Sequence, residues 1–177
     1  HPGYGFLSEN PDLAARCLEA GITFIGPTSA QLQQFGDKSS ARALAAECDV
    51  PLLIGTDGDT DLEQAQAFLS SLPAGSLAII KAIAGGGGRG MRLVESSADL
   101  ATLLQRAKAE AGAAFGDDRV YLEQFVPKAR HIEVQIIGDG SSVQHLWERE
   151  CTIQRNHQKI VEIAPSPSLN DNQRQSL

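Results

Sequence analysis

The pattern of apolar and polar positions opens on a turn-rich stretch and settles into helices. Residues 1–10 mix glycines with aromatics and close on Ser8-Glu9-Asn10. Ser8 or Asn10 can cap a helix that has Pro11 in its first turn. Leu13, Cys17 and Ala20, beside Ala14 and Leu18, give that helix an apolar stripe, and Gly21 is placed to stop it. Residues 22–25 (ITFI) read as a short strand closed by Gly26-Pro27, and this alternation suggests the tail of an α/β sheet. A short helix from Thr28 to Phe35 ends at Gly36. Asp37 caps the next helix, whose Ala41, Leu44, Ala45 and Cys48 share a face. Lys38 falls in the first turn, where a cation gains nothing from the helix dipole, so position alone makes it a solvated lysine. Pro51 to Ile54 is extended, and 55–61 (GTDGDTD) is a turn cluster and a boundary.

From Thr60 the pattern becomes compact. Thr60 with Glu63 forms a capping box ahead of a helix with Leu62, Ala65, Leu69 and Leu72 on one side. Strands are predicted over 78–82 and 91–94, and between them lie Gly85, Gly86, Gly87 and Gly88, then Arg89 and Gly90. Ser96 and Asp99 resemble another cap, leading a helix that aligns Leu100, Leu103, Leu104, Ala107 and Ala111. Residues 119–126 (RVYLEQFV) read as a strand, which makes 60–126 an α+β module. The last third is strand-rich. His131 to Ile137 alternates, with Ile132, Val134 and Ile136 on one face and His131, Glu133 and Gln135 on the other. Gly138-Asp139-Gly140 turns the chain, and Val143 to Trp147 returns. Glu148, Arg149, Glu150 and then 154–159 (QRNHQK) form a second polar concentration, and a helical pattern begins as the sequence ends.

Composition narrows the classes. The chain has 177 residues, 42% apolar and 21% charged, enough for one large or two small cores. A formal charge of −7 opposes non-specific nucleic-acid binding, and no apolar run approaches membrane-spanning length. Cys17, Cys48 and Cys151 form no CxxC pair, which fits reduced core thiols and a reducing compartment. Met91 is the sole methionine, so position 1 is no translation start, and the sequence is expected to be a piece of a longer protein.

The glycine stretch carries the clearest chemistry. Without Cβ atoms its backbone can take positive φ and approach a bound group, and successive N–H groups form an anion nest. Lys81 and Arg89 add positive charge on either side, so a flap over phosphates is expected, a hairpin linker being the plainer alternative. No lysine and hydroxyl follow as in a P-loop, and the next segment reads as strand, unlike a dinucleotide turn. Glu133, Glu148 and Glu150 can hold magnesium or line a solvated face. Gln154, His157 and Lys159 offer an amide, an imidazole and an ammonium to an anion, or belong to a charged surface loop. No zinc-ligand spacing connects the histidines.

Seven segments in order then resemble a known family: HPGYGFLSEN (1–10), FIGP (24–27), GDK (36–38), IIKAIAGGGGRGMR (79–92), RHIEVQIIGDG (130–140), ERECTIQRNHQK (148–159) and EIAPSPSL (162–169). Together they resemble the biotin carboxylase domain of the biotin-dependent carboxylases acting on acetyl-CoA, propionyl-CoA, pyruvate or urea. The resemblance implies mixed α/β and α+β structure: a partial ATP-grasp fold, preceded by the tail of a Rossmann-like N-terminal domain. The divisions expected are 1–35 for that tail, 36–59 for a connecting helix and linker, 60–126 for the small subdomain with the flap, and 127–177 for the start of the large subdomain. It also implies ATP-dependent carboxylation of biotin by bicarbonate through carboxyphosphate, giving ADP and phosphate. Other ATP-grasp ligases, such as carbamoyl-phosphate synthase, and a noncatalytic nucleotide-binding module are the alternatives.

By the same resemblance Lys38 and Lys81 contact nucleotide phosphates, and the flap from Gly85 to Gly90, with Arg89, closes over them. Glu123, with the backbone at Gln124 and Val126, reads adenine. His131, Gln154 and His157 line the nucleotide site, and Lys159 lies where bicarbonate meets the transferred phosphoryl group. Ala84, Gln124 and Asn156 stand where the family often has glycine, lysine and arginine. Magnesium ligands are expected from a later segment of the type EMNxRxQVEH, which these residues do not include. The fragment alone is therefore expected to be inactive. The implied partners are a biotin carrier domain, a carboxyltransferase domain or subunit, and further copies of the parent in a homo-oligomer. Cytoplasm is the implied location, or the mitochondrial matrix in a eukaryote.

Overall fold

The computed structural model describes residues 1–3, 5, 7–84, 90–156 and 158–177. It divides into two compact units, His1–Phe125 and Val126–Leu177.

The first unit begins with three helices. α1 (Pro11–Glu19) is capped by Asn10, whose side chain accepts from the Leu13 amide, so Asn10 rather than Ser8 sets its start. α2 (Ser29–Gly36) starts at a capping box between Thr28 and Gln31, and α3 (Lys38–Glu47) at Asp37, which accepts from the Ser40 amide. α1 packs on α2 and α2 on α3. The strand predicted over 22–25 is absent: the segment is irregular, pairs with no described strand, and exposes Ile22 and Ile25. Strand identity requires a ladder partner, which apolar content alone does not supply.

A three-stranded antiparallel sheet follows, in the order β2-β1-β3, with β1 (Leu77–Ala82) between β2 (Arg92–Val94) and β3 (Val120–Phe125). Two helices, α4 (Leu62–Ser71) and α5 (Leu100–Phe115), contribute to its core, α5 being preceded by a 3₁₀ turn over Ser97–Asp99 that Ser96 caps. The two-residue period of the strands divides their side chains. Ala78, Ile80, Ala82, Val120 and Leu122 join Ala65, Phe68, Val94, Leu100, Leu104, Ala107 and Ala111 in the core. Ile80, Leu100 and Leu122 are fully buried, each worth about 1.5–3 kcal/mol of transfer free energy. Ile79, Lys81, Tyr121 and Glu123 occupy the alternate positions, on the opposite face.

The cap of α4 lies one residue beyond the predicted one. Asp61 and Gln64 make the capping box, while Thr60 is buried with its hydroxyl 2.6 Å from that of Thr56. Phe68 fills the core position, and Leu62, assigned to the buried face, is exposed. Residues 54–60 line the outer edge of β3, through Gln124 N–H to Ile54 O at 2.8 Å, Thr56 N–H to Leu122 O at 2.9 Å and Thr60 N–H to Val120 O at 2.8 Å. These bonds satisfy an edge that would otherwise present open backbone groups.

The second unit is an antiparallel sheet in the order β4-β5-β6: β4 (Ile132–Gly138), β5 (Val143–Arg155) and β6 (Gln158–Ile163), followed by the short α6 (Asp171–Gln175). The 154–159 segment, which the sequence leaves as either an anion-binding cluster or a charged surface loop, is a hairpin in which Gln154 pairs with Lys159 and Arg155 with Gln158. Asn156 in its turn has φ 51°, a conformation asparagine tolerates. Ile136, Ile137, Val143, Leu146, Trp147, Ile153 and Ile160 are exposed, because no described element covers them. No described helix is long and apolar enough to cross a membrane.

Gly90 and Gly75 test one detail of the first unit. Gly90 has φ +69° and a Cβ there would lie 2.9 Å from Cβ of Ala82; Gly75 has φ +82° with nothing within 4 Å. Gly75→Ala should cost only the left-handed strain, ~1–2 kcal/mol. Gly90→Ala should cost that plus ~1–3 kcal/mol of overpacking. Urea unfolding of both variants measures the difference, and equal losses would mean that Ala82 yields without cost.

Candidate functional site

Candidate groups occur in each unit. In the first, strand register sets the geometry. Lys81 lies opposite Tyr121, and Glu123 opposite Ile79, so Lys81 and Glu123 are diagonal neighbours on the non-core face. The Lys81 ammonium bonds Glu123 Oε2. The other carboxylate oxygen accepts from Arg42 Nη1 at 2.8 Å, while Arg42 Nη2 donates to the Leu53 carbonyl at 2.9 Å. The Arg42 guanidinium also lies 5.7 Å from the centre of the Tyr121 ring. Burial, reinforced by the Glu123 charge, pushes the Tyr121 phenol up to about 12.

Lys38 opens α3, and its ammonium donates to the Ile83 carbonyl at 3.2 Å. Burial lowers its pKa, and repulsion from Lys81 lowers it further against the opposing pull of Asp37. Two ammonium groups close enough to repel are a poor arrangement for stability and a good one for an anion. Lys38 is therefore partly buried rather than the solvated residue its position alone suggested. Glu123 is buried with both oxygens engaged, and the Gln124 N–H is already bonded to Ile54. Val126 begins the second unit and is exposed. Gly90 is buried beside Ala82. Gly85, Gly86, Gly87, Gly88 and Arg89 lie outside the described residues, as does His157.

In the second unit the predicted row of imidazole, carboxylate and amide is present. Glu133 on β4 lies opposite Arg149 on β5, whose Nε donates to it at 2.9 Å. Lys159, from β6, bonds the other oxygen of Glu133. Arg149 also reaches Gln135 Oε1 at 3.1 Å. The Gln154 amide nitrogen is 3.0 Å from His131 Nδ1 and donates to the Cys151 carbonyl at 2.9 Å. His131 Nε2 is 3.5 Å from Glu133 Oε2. This face thus gathers His131, Arg149 and Lys159 around one carboxylate, with Gln154 held against His131.

Glu148 and Glu150 are neither magnesium ligands nor a solvated face, as the sequence reading allowed. Both are buried and hydrogen-bonded. Glu148 accepts from Arg174 Nε at 2.8 Å and the Ser166 amide at 3.1 Å. Glu150 accepts from Arg130 at 2.7 Å, Ser168 at 2.6 Å, Ser166 at 2.9 Å and Thr152 at 3.1 Å. The hydroxyls of Ser168 and Ser166, with Arg130, hold the Glu150 carboxyl down at about 2. Ligand atoms of Glu133, Cys151 and Glu162 lie within 4.8 Å of one another. A thiol does not suit a hard cation, and Glu133 is already matched by two side-chain cations, so these residues do not fit magnesium.

Arg42 and Arg149 stand out in the structure but not among the sequence-assigned site residues, and Glu133, weighed in the sequence as a magnesium ligand, is instead a partner of Arg149 and Lys159. Arg42 had a readable signal: it is four residues after Lys38, on the same helix face. Arg149 had none, because a register shift in the β4–β5 ladder decides what it opposes.

The bond to Lys159, with help from Arg149, lowers the Glu133 carboxyl from 4.5 to about 2. A depressed carboxyl contributes stability that is present above its unfolded value and lost as pH falls towards the folded one. Here the window is 4.5 down to about 2. Lys159→Gln should raise the Glu133 midpoint while leaving it below the ordinary value, since Arg149 remains. Carboxyl-carbon NMR titration reads this, and an unmoved midpoint would remove Lys159 as the main cause.

Residues 37–177 match the family model "Carbamoyl-phosphate synthase L chain, ATP binding domain", and residues 1–32 match "Biotin carboxylase, N-terminal domain". Pyruvate carboxylase of Bacillus subtilis is 50% identical over 179 residues, covering 100% of this chain and 15% of that protein. The Campylobacter jejuni biotin carboxylase in complex with β,γ-ATP is 42% identical, with a TM-score of 0.93 over 99% of this chain and 39% of that one. The biotin carboxylase domain dimer of Hydrogenobacter thermophilus 2-oxoglutarate carboxylase, in complex with MgADP, ADP and bicarbonate, is 42% identical, with a TM-score of 0.91 over the same shares. The chain thus spans 15% of the B. subtilis relative and 39% of these two solved chains. Its fold is mixed α/β of the ATP-grasp type, preceded by a remnant of the biotin carboxylase N-terminal domain. The chain belongs to the ATP-grasp family of biotin carboxylase domains found in biotin-dependent carboxylases.

Proposed function

We propose that the protein carrying this chain uses ATP and bicarbonate to carboxylate biotin. Bicarbonate oxygen attacks the γ-phosphorus, the bond to ADP breaks, and carboxyphosphate supplies the carboxyl group to the biotin nitrogen as its C–O bond to phosphate breaks and the departing phosphate takes the nitrogen's proton. The observation that carries this reading is the convergence of Lys38 and Lys81 at one end of β1, where the half-buried Lys38 ammonium reaches the Ile83 carbonyl at 3.2 Å, just past the strand that holds Lys81. Such a pair suits a polyanion, and the similar C. jejuni and H. thermophilus proteins are described with ATP-type and ADP ligands. The family model over 37–177 is named for carbamoyl-phosphate synthase, the alternative ligase. The N-terminal biotin carboxylase match and the biotin-dependent relatives favour biotin.

In this reading Lys38 and Lys81 take the phosphates, with Gly85 to Gly90 and Arg89 as the covering flap. Glu123, Gln124 and Val126 form the adenine edge, where the Gln124 N–H must leave Ile54 or the base must use the carbonyls. His131, Gln154 and His157 line the nucleotide. Lys159, charged at every physiological pH and supported by Glu133, offsets repulsion between bicarbonate and the γ-phosphate. Magnesium, described with ADP in the H. thermophilus relative, accompanies the nucleotide and adds positive charge there. A biotin carrier domain, a carboxyltransferase domain or subunit, and a homo-oligomer of the parent complete the proposal. Its location is the cytoplasm, or the mitochondrial matrix in a eukaryote.

Two variants of the full-length protein test the roles. Lys159→Gln removes charge from a group acting in the transition state, so kcat should fall ~10²-fold or more with ATP affinity little changed. Lys81→Gln should instead weaken ATP binding, because that lysine meets phosphates in ground and transition states alike. Steady-state kinetics with direct ATP titration separate them. A raised ATP dissociation constant with intact kcat in Lys159→Gln would make Lys159 an ordinary phosphate clamp.

A further inference from the structure

We propose that Arg42 is a positioning residue: it keeps Glu123 compensated when Lys81 leaves that carboxylate for a nucleotide phosphate. The inference rests on the reading of Lys81 as a phosphate contact and gives the Lys81–Glu123 pair a purpose within it.

The Glu123 side chain is 8% exposed and divides its oxygens between two cations, Oε1 to Arg42 and Oε2 to Lys81. Lys81 cannot give full strength to a phosphate while it bonds Glu123, so nucleotide binding requires an exchange of partners. An exchange that stripped Glu123 of every cation would leave a buried, unpaired carboxylate, which is among the costlier changes a protein can make. Arg42 removes that obstacle. It is itself pinned: Nη2 donates to the Leu53 carbonyl, the guanidinium faces Tyr121, and a Cβ at Gly55 would come within 3.0 Å of Nη2. Arg42 therefore stays with Glu123 while Lys81, with its side chain 25% exposed, is the partner able to turn. Repulsion from Lys38 adds to the tendency of Lys81 to meet an anion rather than remain beside another cation. Before nucleotide arrives, Glu123 holds the lysine in place; afterwards, the Arg42–Glu123 pair remains as a neutral unit on the sheet.

A merely structural role would loosen the nucleotide site for every ligand. The exchange role is confined to ligands carrying phosphate. In the full-length protein, Arg42→Gln should raise the ATP dissociation constant roughly tenfold or more, on the scale of one strong charge pair, and raise KM for ATP with kcat within about threefold. Its affinity for adenosine, which has no phosphate, should stay within about twofold of wild type. Arg42→Lys, which keeps the charge, should recover most of the ATP affinity. Arg42→Gln/Glu123→Gln should show a higher ATP-to-adenosine affinity ratio than Arg42→Gln alone, because no carboxylate then retains Lys81. Equal losses for ATP and adenosine, or no recovery in the double variant, would overturn the inference. If Arg42→Gln does not fold, Glu123→Gln decides: a fall of its ATP-to-adenosine affinity ratio by tenfold or more overturns the inference, and a maintained or higher ratio supports it. Lys81→Gln is the control on the underlying reading. If it leaves ATP affinity unchanged, the phosphate assignment fails; if it weakens ATP while Arg42→Gln does not, only the exchange fails.

Discussion

The Glu123 carboxylate, enclosed between Arg42 and Lys81, is the constraint on which the first unit turns. It brings α3, β1 and β3 to one point, and it can do so only because the sheet register puts Lys81 and Glu123 on the face away from the core. The core face supplies the rigidity through Ile80, Leu122 and the stripe of α5. The segment 54–60 closes the edge of β3, so this strand is fixed on all sides. Taking one cation from a buried ionic group costs about 3–5 kcal/mol, so any ligand that moves Lys81 needs the remaining pair to stay intact.

The second unit uses carboxylates for two unlike purposes on opposite faces of one sheet. Glu133 sits among Lys159, Arg149 and His131, where charge is partly open to solvent. Glu148 and Glu150 are sealed beneath Ser166 and Ser168. Their type and spacing suggested ligands, whereas the donors around them show that they anchor the chain after β6. The difference lies in which face a position occupies, and alternate residues of β5 occupy different faces.

The helices were legible because their starts are local. Asp37 caps as its residue type dictates, Asn10 is one of the two caps the sequence offers, and the periodicity of α5 found Leu100, Leu104, Ala107 and Ala111. The cap at Thr60 was displaced by one residue because Asp61 and Gln64 make the same motif while Thr60 is used inside. ITFI was misread because apolar residues do not create a pairing partner. The site was less legible still. Near its turn, the β4–β5 ladder sets Ile137 opposite Gln144 and Ile136 opposite His145. Continued unchanged, that register would put Glu133 opposite Glu148. A one-residue shift, near Trp147 with φ 65°, brings Arg149 there instead. No residue type announces that shift, yet it decides whether Glu133 meets a cation or another anion. The roles proposed for Lys38 and Lys159 rest on family motifs, since neither position is distinctive by spacing.

The bond from Arg174 to Glu148 has a practical consequence for where the chain can be cut. Arg174 belongs to a short terminal helix that resembles a dispensable tail, yet its guanidinium also reaches the Ser166 carbonyl at 3.2 Å. Trimming to Gln173 would leave Glu148 with the Ser166 amide and without its only side-chain cation among the described residues. For anyone choosing expression boundaries, a cut before Arg174 would therefore remove a counter-ion that lies several residues beyond the last described strand.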